Sequence, residues 1–319
     1  MRTMFSNTEY RRESGRRMNL LKKLYGVITA MTTPFTEEDK VNVEALKQQT
    51  NYLIDRGVDC LYPTGTTGEM YLMSAEERKL VAETVVKEAA GRVTVFIHVG
   101  AMTLAETIEL AQHAHSIGAD GVGVVTPNYF TVDDRAMVQY YKDVCDALPQ
   151  DFPVYVYVIP QLAHNDISPE TMDEICKVCP NVVGVKYSFA DMSRVLKYLR
   201  VNNGDFSVVF GADHLFLSAL VAGCDGTVSG CSGPFPEPFV EVYKQYKAGN
   251  MEAARAAQDE ANDLVWLMKG GADMSIFKNI LTFRGITGGH MRKPLLDLSE
   301  EDVATLKEAT KTYVEKWNK

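Results

Sequence analysis

The sequence predicts an α/β fold: a (β/α)8 TIM barrel followed by a C-terminal helical extension. Three observations predict it. From Tyr25 onward one unit, a short apolar strand, a loop and an amphipathic helix, repeats eight times. The rival doubly wound sheet lacks its mark, since no Gly-x-Gly-x-x-Gly follows the first strand. The chain has 319 residues, 46% of them hydrophobic, enough for a barrel of about 250 residues in one domain. The organisation reads as a flexible tail over 1–18, a catalytic barrel over 19–250 and a helical extension over 251–319.

The elements follow in order. Strand one covers Gly26 to Met31 and leads through Thr32-Thr33-Pro34-Phe35 to a helix near Val43 to Arg56. Strand two, Asp59 to Tyr62, precedes Pro63-Thr64-Gly65-Thr66-Thr67-Gly68-Glu69. Its helix opens at Ser74 with Glu77 three residues on, a capping box. Strand three is Val93 to Val99, with a helix over Leu104 to Ile117. Strand four is Val122 to Thr126, with a helix near Arg135 to Ala147. Strand five, Val154 to Val158, is followed by a helix starting after Ser168-Pro169-Glu170. Strand six starts at Val182 and carries Lys186, and its helix covers Met192 to Arg200. Strand seven is Ser207 to Phe210, then Gly211-Ala212-Asp213-His214 and a helix to Ala222. Strand eight is Gly226 to Ser229, closed by a helix near Pro238 to Lys247. Helical spacing recurs over Ala253 to Met268, Ser275 to Arg284 and Ser299 to Trp317.

Composition excludes several classes. A net charge of −9 argues against a nucleic-acid or anionic-membrane surface. No apolar run approaches a membrane span. The six cysteines, Cys60, Cys145, Cys176, Cys179, Cys224 and Cys231, are scattered, as expected for reduced thiols in a cytoplasmic protein. Cys176 and Cys179 form a lone Cys-x-x-Cys, and a zinc site needs a second pair. Arg2, Arg11, Arg12, Arg16 and Arg17 lie in a stretch without periodicity or a signal-like apolar segment. It reads as a flexible tail, with Met18 as an alternative start.

Val182-Val183-Gly184-Val185-Lys186-Tyr187-Ser188 runs a buried strand into a lysine. At the C-terminal end of a barrel strand that lysine faces the mouth, where such folds keep their chemistry. Apolar walls destabilise its charged form and lower its pKa. An ordinary lysine, with a pKa of about 10.4, is neutral only about once in 2,500 molecules at pH 7. Only the neutral amine attacks a ketone to form a Schiff base. Taken alone, Lys186 also fits a strand-end lysine snorkelling to solvent.

The strand-to-helix loops bring Thr66, Thr67, Tyr129, Tyr157, Lys186, Ser188, Asp213 and His214 around one cavity. Gly65-Thr66-Thr67-Gly68-Glu69 joins two glycines to two hydroxyls, and its backbone N–H groups suit a carboxylate. A plain turn is the alternative. Tyr157, ending strand five, puts a phenol beside Lys186, suited to moving protons during Schiff-base formation, or serving only as an aromatic wall. His98 ends strand three, where a small residue is expected; it narrows the site or hydrogen-bonds across the barrel. His113 and His115 read as surface residues. No grouping suggests a metal.

Gly65-Thr66-Thr67-Gly68-Glu69, Tyr157-x-x-Pro160 and Gly184-Val185-Lys186 occur in the order and approximate spacing of the N-acetylneuraminate lyase / dihydrodipicolinate synthase family. The chain resembles that family from about Leu24 to its C-terminus. The resemblance implies a barrel with C-terminal helices assembled as a homotetramer, and a Schiff base between Lys186 and pyruvate or another 2-oxo acid, with no cofactor. It implies proton transfer by Tyr157, carboxylate binding and relay by Thr66 and Thr67, and a relay tyrosine, Tyr129, inserted into a neighbouring subunit's site. The synthases carry an arginine two residues after the motif proline to hold the aldehyde's carboxylate; here that residue is Leu162. A charged hydrogen bond of that kind is worth about 1.5–3 kcal/mol. The sugar-acid lyases, apolar at that position, resemble the chain better. Gly211-x-Asp213 and Ser188 are similar to their sugar-hydroxyl positions. Departures are His214 in place of glutamate, Gly230 in place of serine, and Ala163-His164 in place of a Ser-Gly or Thr-Gly pair. They separate the chain from sialic acid itself without touching the pyruvate half. His214 stands either as a substrate contact or as a bystander at the mouth. The alternatives are a synthase condensing pyruvate with aspartate semialdehyde and a non-catalytic 2-oxo-acid-binding protein.

Overall fold

The structure, a computed structural model, describes residues 21–318; the expected tail over 1–18 lies outside them. Eight parallel strands close into a barrel in sequence order. They are β1 (Gly26–Ala30), β2 (Cys60–Tyr62), β3 (Thr94–His98), β4 (Gly121–Val125), β5 (Val154–Val158), β6 (Val182–Tyr187), β7 (Ser207–Phe210) and β8 (Gly226–Ser229). Closure comes from β1 pairing with β8 from Gly26↔Gly226 to Thr29↔Ser229. The TIM-barrel fold read from the sequence is therefore the fold observed.

The helices between strands are α1 (Val43–Asp55), α2 (Ala75–Ala89), α3 (Leu104–Ser116), α4 (Asp134–Asp146), the one-turn α5 (Pro160–Ala163), α6 (Pro169–Val178), α7 (Met192–Tyr198) and α8 (Phe216–Ala222). After β8 come α9 (Pro236–Lys247), α10 (Met251–Leu267), α11 (Met274–Phe283) and α12 (Glu300–Trp317). The start of α2 carries the expected capping box, with the Ser74 side chain on the Glu77 N–H and the Glu77 carboxylate on the Ser74 N–H. The sequence reading missed α5, because its four residues are too few to show a period. The lone Cys-x-x-Cys does not lie wholly in a helix: Cys179 caps the C-terminus of α6.

Alternation divides the apolar residues into two cores. Val122, Val124, Val154, Val156, Val158, Val185 and Tyr187 point outward against the helices. Ile28, Cys60, Tyr62, Phe96, Tyr155, Val183, Val209 and Val228 fill the barrel. One strand breaks the alternation. Val154 pairs with Val182 but Tyr155 pairs with Gly184, so Val183 is an extra residue, a β-bulge. Val183 and Gly184 both face inward. In an unbroken strand Val185 would point in and Lys186 out. The bulge reverses this and aims Lys186 into the barrel. A β-carbon on Gly184 would lie 2.6 Å from Tyr155 Cε1 and 2.5 Å from the Ser207 carbonyl oxygen, so only glycine fits between the bulge and the lysine.

The C-terminal helices reach back to the mouth. Lys278 of α11 meets Glu69 at 2.5 Å, and both side chains are sealed from solvent. The Arg292 backbone N–H donates to the other Glu69 oxygen at 3.0 Å, while its guanidinium binds Glu77 and Asp39. Glu69 holds a left-handed backbone, φ 60°, a conformation that needs outside support. Removing one member of a buried ion pair strands the other charge and typically costs about 3–5 kcal/mol. Lys278→Met is therefore expected to lower stability by about that much in urea unfolding, and adding Glu69→Gln to recover more than half of it.

Candidate active site

Each side chain of the site is placed by a strand end or the turn after it. Lys186, near the end of β6, is buried to 4% exposure. Its Nζ lies 3.8 Å from the ring centre of Tyr157 and 4.5 Å from that of Tyr62. Burial pulls its pKa down to about 7, with Asp213 opposing the shift. The snorkelling alternative is thereby excluded, because this amine never reaches solvent.

Tyr157 on β5 pairs in register with Lys186. Its hydroxyl shares a hydrogen bond with Thr66 Oγ1 at 3.2 Å. Burial raises its pKa, and the Thr66 and Ser188 hydroxyls oppose the rise. Ser188 leaves β6 beside Gly211, where a β-carbon would lie 2.3 Å from Ser188 Oγ. Asp213 is buried in the turn after β7. Burial raises its pKa to about 6, against hydrogen bonds from Cys231 and Ser229. One of its carboxylate oxygens has no partner among the described residues.

The Gly65–Glu69 turn folds on itself. Gly68 and Met70 donate to the Gly65 carbonyl, and Glu69 donates to that of Thr66. Among the described residues, neither the Thr66 nor the Thr67 N–H finds an acceptor. Two free N–H groups beside a buried amine make an anion seat. Thr67 Oγ1 stands next to Gly230, 3.2 Å from where a β-carbon there would sit. His98 accepts the hydroxyl of Thr64 on its carbonyl at 2.8 Å, and its ring Nδ1 meets the Thr64 carbonyl at 3.0 Å. It meets Tyr157 edge to face at 5.7 Å. Burial, with Arg78 and Lys186 nearby, pushes its pKa well down, so it is neutral. Its bonds go to Thr64 in the loop after the neighbouring β2, not across the barrel.

A pocket of about 270 Å³ adjoins Thr66 and is lined by Tyr71, Asn128, Tyr129, Leu162 and His164. Tyr129 is 76% exposed there and has φ 70°, so within one chain it stands on the rim rather than against Lys186. Leu162 is also exposed on the rim. His214 departs furthest from a place at the reacting centre: its ring packs on Trp266 of α10 at 5.3 Å. His113 is half-buried and meets Glu83 at 2.9 Å, while His115 is exposed. The sequence reading missed Tyr62. Alternation from Cys60 points it into the barrel, but nothing in the sequence shows that it reaches Lys186. No group of three or more potential metal ligands occurs among the described residues, and no described helix is long and apolar enough to cross a membrane.

Residues 23–313 match the model of the dihydrodipicolinate synthetase family. The chain is 35% identical over 283 residues to a DapA-like lyase of Halobacterium salinarum, covering 89% of this chain and 92% of that one. It is 32% identical to the N-acetylneuraminate lyase of Mediterraneibacter gnavus, covering 94% of this chain and 96% of the other. Among solved structures, Escherichia coli YagE in complex with pyruvate superposes with a TM-score of 0.85 at 27% identity, covering 92% of this chain and 99% of that one. The chain belongs to the dihydrodipicolinate synthetase family and is a lyase of the kind that family comprises.

Burial of the Lys186 amine has a sign that stability measurements can read. The folded pKa is about 7 and the ordinary value 10.5. Between them the unfolded chain binds more protons, so wild-type stability rises with pH across that window. Lys186→Met is expected to be more stable than wild type at pH 6 by on the order of 5 kcal/mol. That advantage should shrink as pH rises towards 10, which chemical denaturation at several pH values would check.

Proposed function

We propose that this protein is a cofactor-free pyruvate aldolase that forms a Schiff base on Lys186 and cleaves a 2-keto-3-deoxy sugar acid. The carrying observation is the enclosed amine, with its pKa near 7 and Tyr157 beside it at 3.8 Å. At pH 7 about half of such amines are neutral and nucleophilic, against about one in 2,500 of ordinary lysines.

The substrate carboxylate sits on the free N–H groups of Thr66 and Thr67, which sets its C2 ketone against Lys186. The neutral amine attacks C2. Tyr157, linked to Thr66, carries a proton from the nitrogen to the former ketone oxygen, and a second proton, taken up from solvent and delivered by the same phenol, lets that oxygen leave as water. The resulting iminium draws in the electron pair of the C3–C4 bond as that bond breaks. The C4 hydroxyl loses its proton, giving an aldehyde and an enamine. Protonation at C3 and addition of water release pyruvate and the free lysine. Asp213, with one unpartnered oxygen, and Ser188 beside Gly211 supply acceptors for hydroxyls of the aldehyde half. The pyruvate bound by YagE and the name of the M. gnavus relative support this reading. Tyr129, exposed with a left-handed backbone, suits insertion into a neighbouring subunit of a homotetramer. A cytoplasmic setting fits the six free cysteines.

The apolar Leu162 favours an aldehyde without a carboxylate over aspartate semialdehyde. Borohydride reduction with pyruvate, followed by peptide mass mapping, is expected to place one adduct on Lys186. Lys186→Ala should lose both the adduct and all turnover of sugar acids. A folded protein with no adduct would reject the mechanism and leave a 2-oxo-acid-binding protein. Leu162→Arg should leave the adduct intact and raise condensation with aspartate semialdehyde at least about ten-fold, the worth of about 1.5 kcal/mol; no gain would show that this position does not select the aldehyde.

A further inference from the structure

Tyr62 lies at the reacting centre without a part in the proton chemistry. It is fully buried at the end of β2, and its ring centre lies 4.5 Å from Lys186 Nζ. Its hydroxyl has no hydrogen-bond partner among the described residues. A buried hydroxyl left unbonded costs about 1–3 kcal/mol, so something other than the hydroxyl is held in place here. The ring is threaded where no side chain blocks it: a β-carbon on Gly123 of β4 would fall 1.7 Å from the Tyr62 oxygen. Tyr157 presents its own face to the same nitrogen at 3.8 Å. Two aromatic faces thus enclose the one atom that stays in place when amine becomes iminium.

We propose that the face of Tyr62 is a catalytic surface which, with that of Tyr157, stabilises the positive charge of the iminium nitrogen. The inference rests on the Schiff base at Lys186 and adds a residue to it. An aromatic face attracts a cation through its quadrupole, and the attraction grows when water is excluded. The iminium must carry its charge while it accepts the C3–C4 electron pair or releases a C3 proton. Lys186 is only 4% exposed, so bulk water solvates that charge poorly. The other ionisable groups facing this nitrogen are Tyr157 from β5, the neutral His98 from β3 and Asp213 from the turn after β7.

Pyruvate alone suffices for the test. Its iminium loses a C3 proton to become an enamine and regains a deuteron from D2O, so exchange of the methyl protons followed by NMR reads the charged intermediate. Tyr62→Phe keeps the face and is expected to exchange within about two-fold of wild type. Pentafluorophenylalanine at position 62 keeps the ring's shape and reverses its quadrupole. It should slow exchange about ten-fold, within the range of a desolvated cation–π contact. It should also move the acid limb of the pH profile down by about one unit, because the protonated amine loses the same support. Tyr62→Leu should shift both readouts in the same direction. Equal exchange by the fluorinated and Phe variants would overturn the proposal. So would a limb moving to higher pH, the mark of water entering, or a Phe variant as slow as the fluorinated one, which would assign the role to the hydroxyl. A borohydride adduct on Lys186 in every variant separates these outcomes from failure of the Schiff base itself.

Discussion

Exclusion of water from a single nitrogen governs the site. Bringing the Lys186 pKa from 10.5 to about 7 corresponds to a penalty on the charged amine on the order of 5 kcal/mol. That figure is what remains after the neighbours have offset part of the desolvation. Two aromatic faces give about 0.5–2 kcal/mol each, and Asp213, its own pKa raised by burial to about 6, attracts a proton onto the amine. Desolvation therefore wins over the attractions, but not by so much that a cation is forbidden. That balance suits chemistry that begins with a neutral amine and passes through a cation on the same nitrogen. A lysine with an ordinary pKa would fail at the first step, and one in a purely aliphatic pocket would fail at the second.

The same exclusion explains why the parts around the lysine are rigid. A turn offering free Thr66 and Thr67 N–H groups keeps only the internal hydrogen bonds of Gly68, Glu69 and Met70 to hold its backbone. Its shape is supplied from outside, by Glu69 clamped to Lys278 and to the Arg292 N–H. The helices after the barrel thus belong to the site as much as the strands do, although none of their described side chains approaches Lys186. A buried pair of this kind is poor value for stability alone, since desolvation cancels much of its Coulomb attraction. What it does supply is a fixed left-handed residue at the end of the turn.

The strand-by-strand order of the barrel was legible because each strand is a short apolar run and each helix has its own period. β5, β7 and β8 fall where the residues place them. Lys186 was legible as an anomaly, a charge ending an apolar strand. The reason it faces inward was not. Val182 to Val185 is an unbroken run of apolar or small residues with no alternation to read, and only pairing with β5 reveals Val183 as an extra residue. Bulges belong to a pair of strands, so one strand's pattern cannot show them. Tyr62 was hidden for a similar reason. Its direction follows from alternation, but its reach depends on the missing side chain of Gly123, 61 positions away on a strand it does not pair with. The Glu69 partner lies in a helix more than two hundred residues on, where no local rule connects them.

The two halves of the cavity differ in how strongly they are constrained, and this bears on how such a site changes substrate. The lysine end is built from backbone N–H groups, a bulge and an ion-paired turn. Altering any of these disturbs the barrel. The pocket beside Thr66 combines buried Met70, Val125, Ile159 and Ala163 with exposed rim side chains, Leu162 and Tyr129 among them. His164, φ 61°, caps the one-turn helix α5 in a conformation that glycine adopts at less cost. A side chain kept there despite that cost places an imidazole at the edge of the pocket, on a turn that can be rebuilt without touching a strand. Free energy committed to the lysine end fixes the reaction, while the looser rim can change without loss of the Schiff base. Of the departures from the sialic-acid lyases, His164 and His214 lie away from the reacting nitrogen, on the pocket edge and against Trp266, whereas Ala163 packs with Tyr157 and Gly230 abuts Thr67.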